Sequence, residues 1–76
     1  HKFVQDALTA ERNAVWEVLE KGGLFYVCGD GRFMAPAVRT ALIKIHMEKQ
    51  GSSFENSSEW LEGMVLSGRY LQDTFG

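Results

Sequence analysis

Cys28 is the only thiol in a chain of 76 residues, and it stands where an apolar run ends and a turn begins. The run is residues 24–28, Leu-Phe-Tyr-Val-Cys, followed at once by Gly29-Asp30-Gly31. A free cysteine in that place has two readings. It is a small buried hydrophobe, as free cysteines commonly are, or a thiol at the carboxyl end of a strand, where open α/β sheets bind ligands. A cysteine nucleophile needs a base and an orienting group. No His or Asn constellation accompanies Cys28, which argues against hydrolase chemistry. His1, His46 and Cys28 lack metal-ligand spacing, and His46 is expected on a helix surface, so no metal site is expected.

The other candidates lie on either side of the thiol. Gly29-Asp30-Gly31 opens like a dinucleotide-binding fingerprint, but Met34 takes the third glycine's place, and a turn needing positive φ is the simpler explanation. The helix that follows offers free N–H groups able to orient a polar ligand. At the far end, Gly68-Arg69-Tyr70-Leu71-Gln72-Asp73-Thr74-Phe75-Gly76 sets an acid two residues before an aromatic. Composition alone reads this as a fraying tail, with Tyr70 and Leu71 pinned to the core.

The elements that position these residues follow from periodicity. Val4, Leu8, Val15, Val18 and Leu19 fall on one helical stripe, with Glu11, Arg12, Glu17, Glu20 and Lys21 on the other side. Thr9 is a candidate N-cap, which predicts a helical turn over residues 4–8 and a helix over 10–21, stopped by Gly22-Gly23. Residues 24–28 do not alternate, which predicts a strand covered on both faces. The next helix carries Pro36 in its first turn, where a missing N–H costs nothing. Val38, Ala41, Leu42 and Ile45 make its inner stripe; Arg39, Lys44, Glu48 and Lys49 face out, and Gly51 ends it. Residues 52–58 read as a polar loop, with Asn56 and Glu59 at capping-box spacing. Trp60, Leu61, Met64 and Val65 form the inner face of a last helix, stopped by Gly68. Trp16 and Trp60 are read as packing residues. The expected class is α/β in the order helix, strand, helix, helix, tail. One strand cannot make a sheet, so the missing strands are expected upstream.

Composition narrows the function classes. Hydrophobic residues make up 45% and aromatics 12%, which is globular rather than disordered. A chain this short buries only about 60% of its unfolded surface, so at most one small domain is present. The net charge of −2 and the lack of a basic run exclude a nucleic-acid footprint. The longest apolar run is far short of the roughly 20 residues a membrane span needs. A single cysteine excludes an internal disulfide and agrees with a reducing, cytoplasmic compartment, with an upstream membrane anchor left open. His1 is expected to be a cut inside a longer chain or the first residue of a processed fragment.

Four motifs in register resemble one family. Phe3-Val4-Gln5, Phe25-Tyr26-Val27-Cys28-Gly29-Asp30, Met34-Ala35 and Gly68-Arg69-Tyr70 with Asp73-x-Phe75 are similar to the C-terminal end of the diflavin NADPH reductases. These FAD- and FMN-containing enzymes serve haem-thiolate mono-oxygenases, nitric oxide synthase and sulfite reductase. The resemblance implies a ferredoxin-reductase-type NADP-binding domain, a parallel sheet flanked by helices, of which residues 1–76 are the C-terminal part. It implies NADPH and FAD as cofactors, with FMN elsewhere, and a haem-protein acceptor, in the same chain or separate.

By the same resemblance, Cys28 and Asp73 flank the nicotinamide, and Phe75 stacks on the flavin where many relatives carry Trp. A gate of this kind held by about 1.4 kcal/mol lowers the apparent nicotinamide affinity roughly tenfold. Phe3 takes the place of a tyrosine beside the adenosine 2′-phosphate, and Gln5 that of a polar contact. Lys2 and His1 compete for the basic position there: strict spacing favours His1, charge favours Lys2. Asp30 and Met34 match cofactor-binding positions. Ala37 stands where many relatives place an acid, so no contact is carried over to it. The alternative of a different class is a helical interaction module whose strand pairs with a partner's sheet edge.

Overall fold

The computed structural model describes the backbone of residues 4–30 and 34–75, and the side chains of these residues except at positions 4, 5, 30, 74 and 75. Its elements are α1 (Val4–Ala10), α2 (Arg12–Glu20), β1 (Phe25–Asp30), α3 (Met34–Gln50), α4 (Phe54–Leu66) and β2 (Tyr70–Phe75).

Two helix ends of the same design feed the two strands. After α2, Gly22 takes φ +87°, and the N–H groups of Gly22 and Gly23 turn back to the carbonyls of Leu19 and Val18. After α4, Gly68 takes φ +78°, and Gly68 and Arg69 bond the carbonyls of Val65 and Met64 in the same pattern. Both are Schellman stops, which satisfy the last helical carbonyls and need a residue free of Cβ strain at the left-handed position. The Phe25 N–H then donates to the Arg69 carbonyl at 2.8 Å, so the chain leaves both helices at the same level.

From there β1 and β2 run parallel, with α3 and α4 as the crossover that parallel pairing requires. The register pairs Phe25 with Tyr70, Val27 with Gln72, Cys28 with Asp73 and Asp30 with Phe75. The expected tail is therefore a strand, and the order becomes helix, helix, strand, helix, helix, strand. β1 itself runs two residues further than expected and starts one later.

One face of this sheet is covered. α3 packs on β1 and α4 on β2, over a core of Leu19, Val27, Val38, Leu42, Leu61 and Tyr70. On the opposite face Tyr26, Cys28, Leu71 and Asp73 are exposed. Within this chain β1 is covered on one face only, because the helices all contribute to that side.

Other boundaries move for local reasons. α1 extends through Thr9 to Ala10, and Glu11, which makes no side-chain cap bond, precedes α2. Val18 is exposed and lies over the Gly23 turn rather than in the core. The predicted polar loop is mostly helix: the Ser53 side chain caps α4 by accepting the Asn56 N–H at 3.1 Å, so Asn56 and Glu59 sit inside the helix rather than at its start. Arg39 and Lys49 are half-buried rather than fully outward, the Arg39 guanidinium lying 5.5 Å from the Tyr70 ring centroid.

His46 is also buried, against the surface position expected for it. It follows Leu42 by one helical turn, which puts it on the core stripe. There its Nδ1 shares a 2.7 Å hydrogen bond with Ser57 Oγ. Its ring stacks on Trp60 at 4.3 Å and meets Trp16 edge-on at 5.5 Å, so both tryptophans are packing residues. Among the described residues, no helix is long and apolar enough to cross a membrane.

Candidate functional site

Strand alternation on the open face gathers the chemistry. Side chains two apart on a strand share a face, and register partners on neighbouring strands stand side by side. Cys28 and Asp73 are register partners, 45 positions apart in sequence and adjacent in the sheet. Both are exposed. Within this chain Cys28 is a free, exposed thiol.

Tyr26 completes the cluster. Its hydroxyl donates to Asp73 Oδ2 at 3.2 Å, reaching diagonally past its own register partner Leu71. This bond to the carboxylate, followed by the carboxylate's charge, burial and the nearby Cys28, raises the phenol above its ordinary value of 10.0. The phenol therefore stays protonated at neutral pH and remains a donor. Sequence reading passed over Tyr26, although its position two residues before Cys28 puts both on one face of any strand.

The site's far wall depends on where β2 begins. Arg69 Nη2 donates to the Leu19 carbonyl at 2.6 Å, tying the start of β2 to the end of α2. A cation at a helix C-terminus also complements the helix dipole.

The remaining sequence candidates are placed less completely. The backbone of Asp30 ends β1, opposite Phe75 in β2, while both side chains lie outside the described residues. Met34 opens α3 and packs against the core, its Cε lying 2.8 Å from where a Cβ on Gly29 would stand. Gln5 is within α1, its side chain outside the described residues. His1, Lys2 and Phe3 lie outside the described residues altogether.

The open face presents a wall of side chains. A groove of about 400 Å³ lies elsewhere, between α1 and α3, lined by Asp6, Thr9, Pro36, Ala37, Thr40 and Lys44 among others, and none of the candidate residues with described side chains is among them. Among the described residues, no group of three His, Cys, Asp or Glu could hold a metal ion. What the wall offers is a thiol and a carboxylate side by side, with a phenol fixing one carboxylate oxygen.

No family model matches the chain. Against known proteins it is 46% identical over 74 residues, 96% of its length, to the NADPH–cytochrome P-450 reductase of Dictyostelium discoideum. It is 33% identical over 73 residues to the bifunctional cytochrome P-450/NADPH–P-450 reductase 1 of Bacillus subtilis. To the sulfite reductase [NADPH] flavoprotein alpha-component of Pectobacterium atrosepticum it is 37% identical over 76 residues. The chain spans 11%, 7% and 12% of these three proteins.

Proposed function

From the premise that this chain belongs to the diflavin NADPH reductases, we propose that it is the C-terminal part of their ferredoxin-reductase-type, NADP(H)-binding domain. The outer face of the β1–β2 sheet then takes the nicotinamide end of the coenzyme. The observation that carries this reading is the pairing of Cys28 with Asp73 on an exposed sheet face. The two-stranded parallel sheet needs further strands, which agrees with a segment of a larger α/β domain.

When bound, NADPH and FAD supply the redox chemistry, a hydride passing from one to the other and electrons onward through FMN to a haem-protein acceptor. The Asp73 carboxylate stabilises the positive charge that develops beside it in the transition state. The Cys28 thiol sets the position of the ring's edge. Phe75, two positions on from Asp73, covers the flavin when the nicotinamide is away. At the other end of the coenzyme, Phe3 and Gln5, with His1 or Lys2, bind the adenosine phosphate, and Asp30 and Met34 border the cofactor between the two ends. The proposed setting is cytoplasmic.

Stopped-flow reduction of FAD by NADPH in the intact reductase tests the roles of Cys28 and Asp73. Cys28→Ala and Asp73→Ala should each slow it by about 100-fold or more, the scale of losing one preorganised group at the reacting centre, with NADP⁺ affinity little changed. Wild-type reduction rates in both variants would overturn the assignment.

A further inference from the structure

An exposed carboxylate rotates freely, and a freely rotating charge is a poor electrostatic catalyst because it must reorganise as the reaction proceeds. Asp73 is exposed, yet its Oδ2 is engaged by the Tyr26 hydroxyl at 3.2 Å. Tyr26 spends a large aromatic ring on this contact, since the side chain is 59% exposed and lies on the face the helices leave open. Among the described residues, no hydrogen bond or ion pair engages the other oxygen, Oδ1.

Resting on the nicotinamide reading above, we infer that Tyr26 is a positioning residue for the Asp73 carboxylate: it holds Oδ2 and leaves Oδ1 aimed at the charge that develops during hydride transfer. The geometry gives the reason for a tyrosine. Tyr26 lies two register steps from Asp73 on the neighbouring strand, a diagonal that a long side chain spans and a short one does not. Phenylalanine would keep the ring and lose only the bond. The raised phenol pKa, caused first by that bond, keeps the donor protonated across the working pH range.

The experiment is a double-mutant cycle in the intact reductase, with Tyr26→Phe, Asp73→Asn and the double variant. The readouts are the limiting rate of FAD reduction, its isotope effect with NADPH deuterated at the transferred position, and the NADP⁺ dissociation constant. Tyr26→Phe should lower the limiting rate about five- to tenfold, the scale of one ordinary, solvent-accessible hydrogen bond. The isotope effect should rise or hold, and NADP⁺ binding should change by less than about twofold, since the loss falls on the transition state rather than on ground-state binding. In the Asp73→Asn background, Tyr26→Phe should add nothing.

A wild-type rate in Tyr26→Phe overturns the inference. An equal loss from Tyr26→Phe with Asp73 present or replaced also overturns it, because the phenol would then act without the carboxylate. A wild-type rate in Asp73→Asn alone removes the nicotinamide reading itself, a different failure that the cycle reports separately.

Discussion

On the helical side of the molecule, His46 Nδ1 and Ser57 Oγ stand 2.7 Å apart, Ser57 wholly buried and His46 enclosed by Trp16 and Trp60. On the open side of the sheet, Tyr26 and Asp73 stand 3.2 Å apart in solvent. Each pair joins a ring to a short oxygen side chain across two elements. The surroundings decide what each bond is for. In the core, water cannot replace a lost partner, so the bond bears on stability. On the open face water replaces it at once, so the bond bears on direction: it fixes where a charge points.

The sharpest test of that contrast is Ser57→Ala. It strands the His46 nitrogen in a dry site and should cost about 1–3 kcal/mol. Hydrogen exchange of the α3 amides around His46, measured in the full-length protein, should quicken accordingly. A smaller effect comes with acid. Burial holds His46 below the ordinary histidine value of 6.5, so the unfolded chain takes up a proton before the folded one does. Stability around α3 and α4 should therefore fall as pH drops through 6.5, and level off once the folded state also protonates. His46→Gln should flatten that dependence. The smallest effect is expected from Tyr26→Phe, which should leave exchange in β1 and β2 as it was while slowing flavin reduction. A loss of protection there as large as that from Ser57→Ala would erase the distinction between the two regions.

The helical frame was legible because its signals are local. Gly22-Gly23 and Gly68 mark their stops within one turn of chain, and Val38, Leu42 and Leu61 follow the helical period. What was missed depends on distance or competition. β2 pairs only with a strand 45 positions away, and Tyr70-Leu71-Gln72-Asp73 is too polar to announce a strand unaided. Asn56 and Glu59 imitated a capping box three residues inside the real start, where Ser53 is the better-placed acceptor. His46 sat on the core stripe all along, but polarity argued for the surface until Ser57 supplied a partner. At the site, the residues alone left the role of Cys28 undecided and only the family resemblance set it beside Asp73; their adjacency follows physically from the register.

That register is set at the helix exits, where the Arg69 carbonyl takes the Phe25 N–H and the Arg69 guanidinium grips the end of α2. Strand registers do not drift; they jump by whole residues, and a jump of one turns every side chain over. A deletion or insertion of a single residue between α4 and β2 would set Gln72 or Thr74 opposite Cys28 and send the carboxylate to the helix side. The spacing from Gly68 to Asp73 is thus digital: substitutions along it can be graded, but its length admits one value.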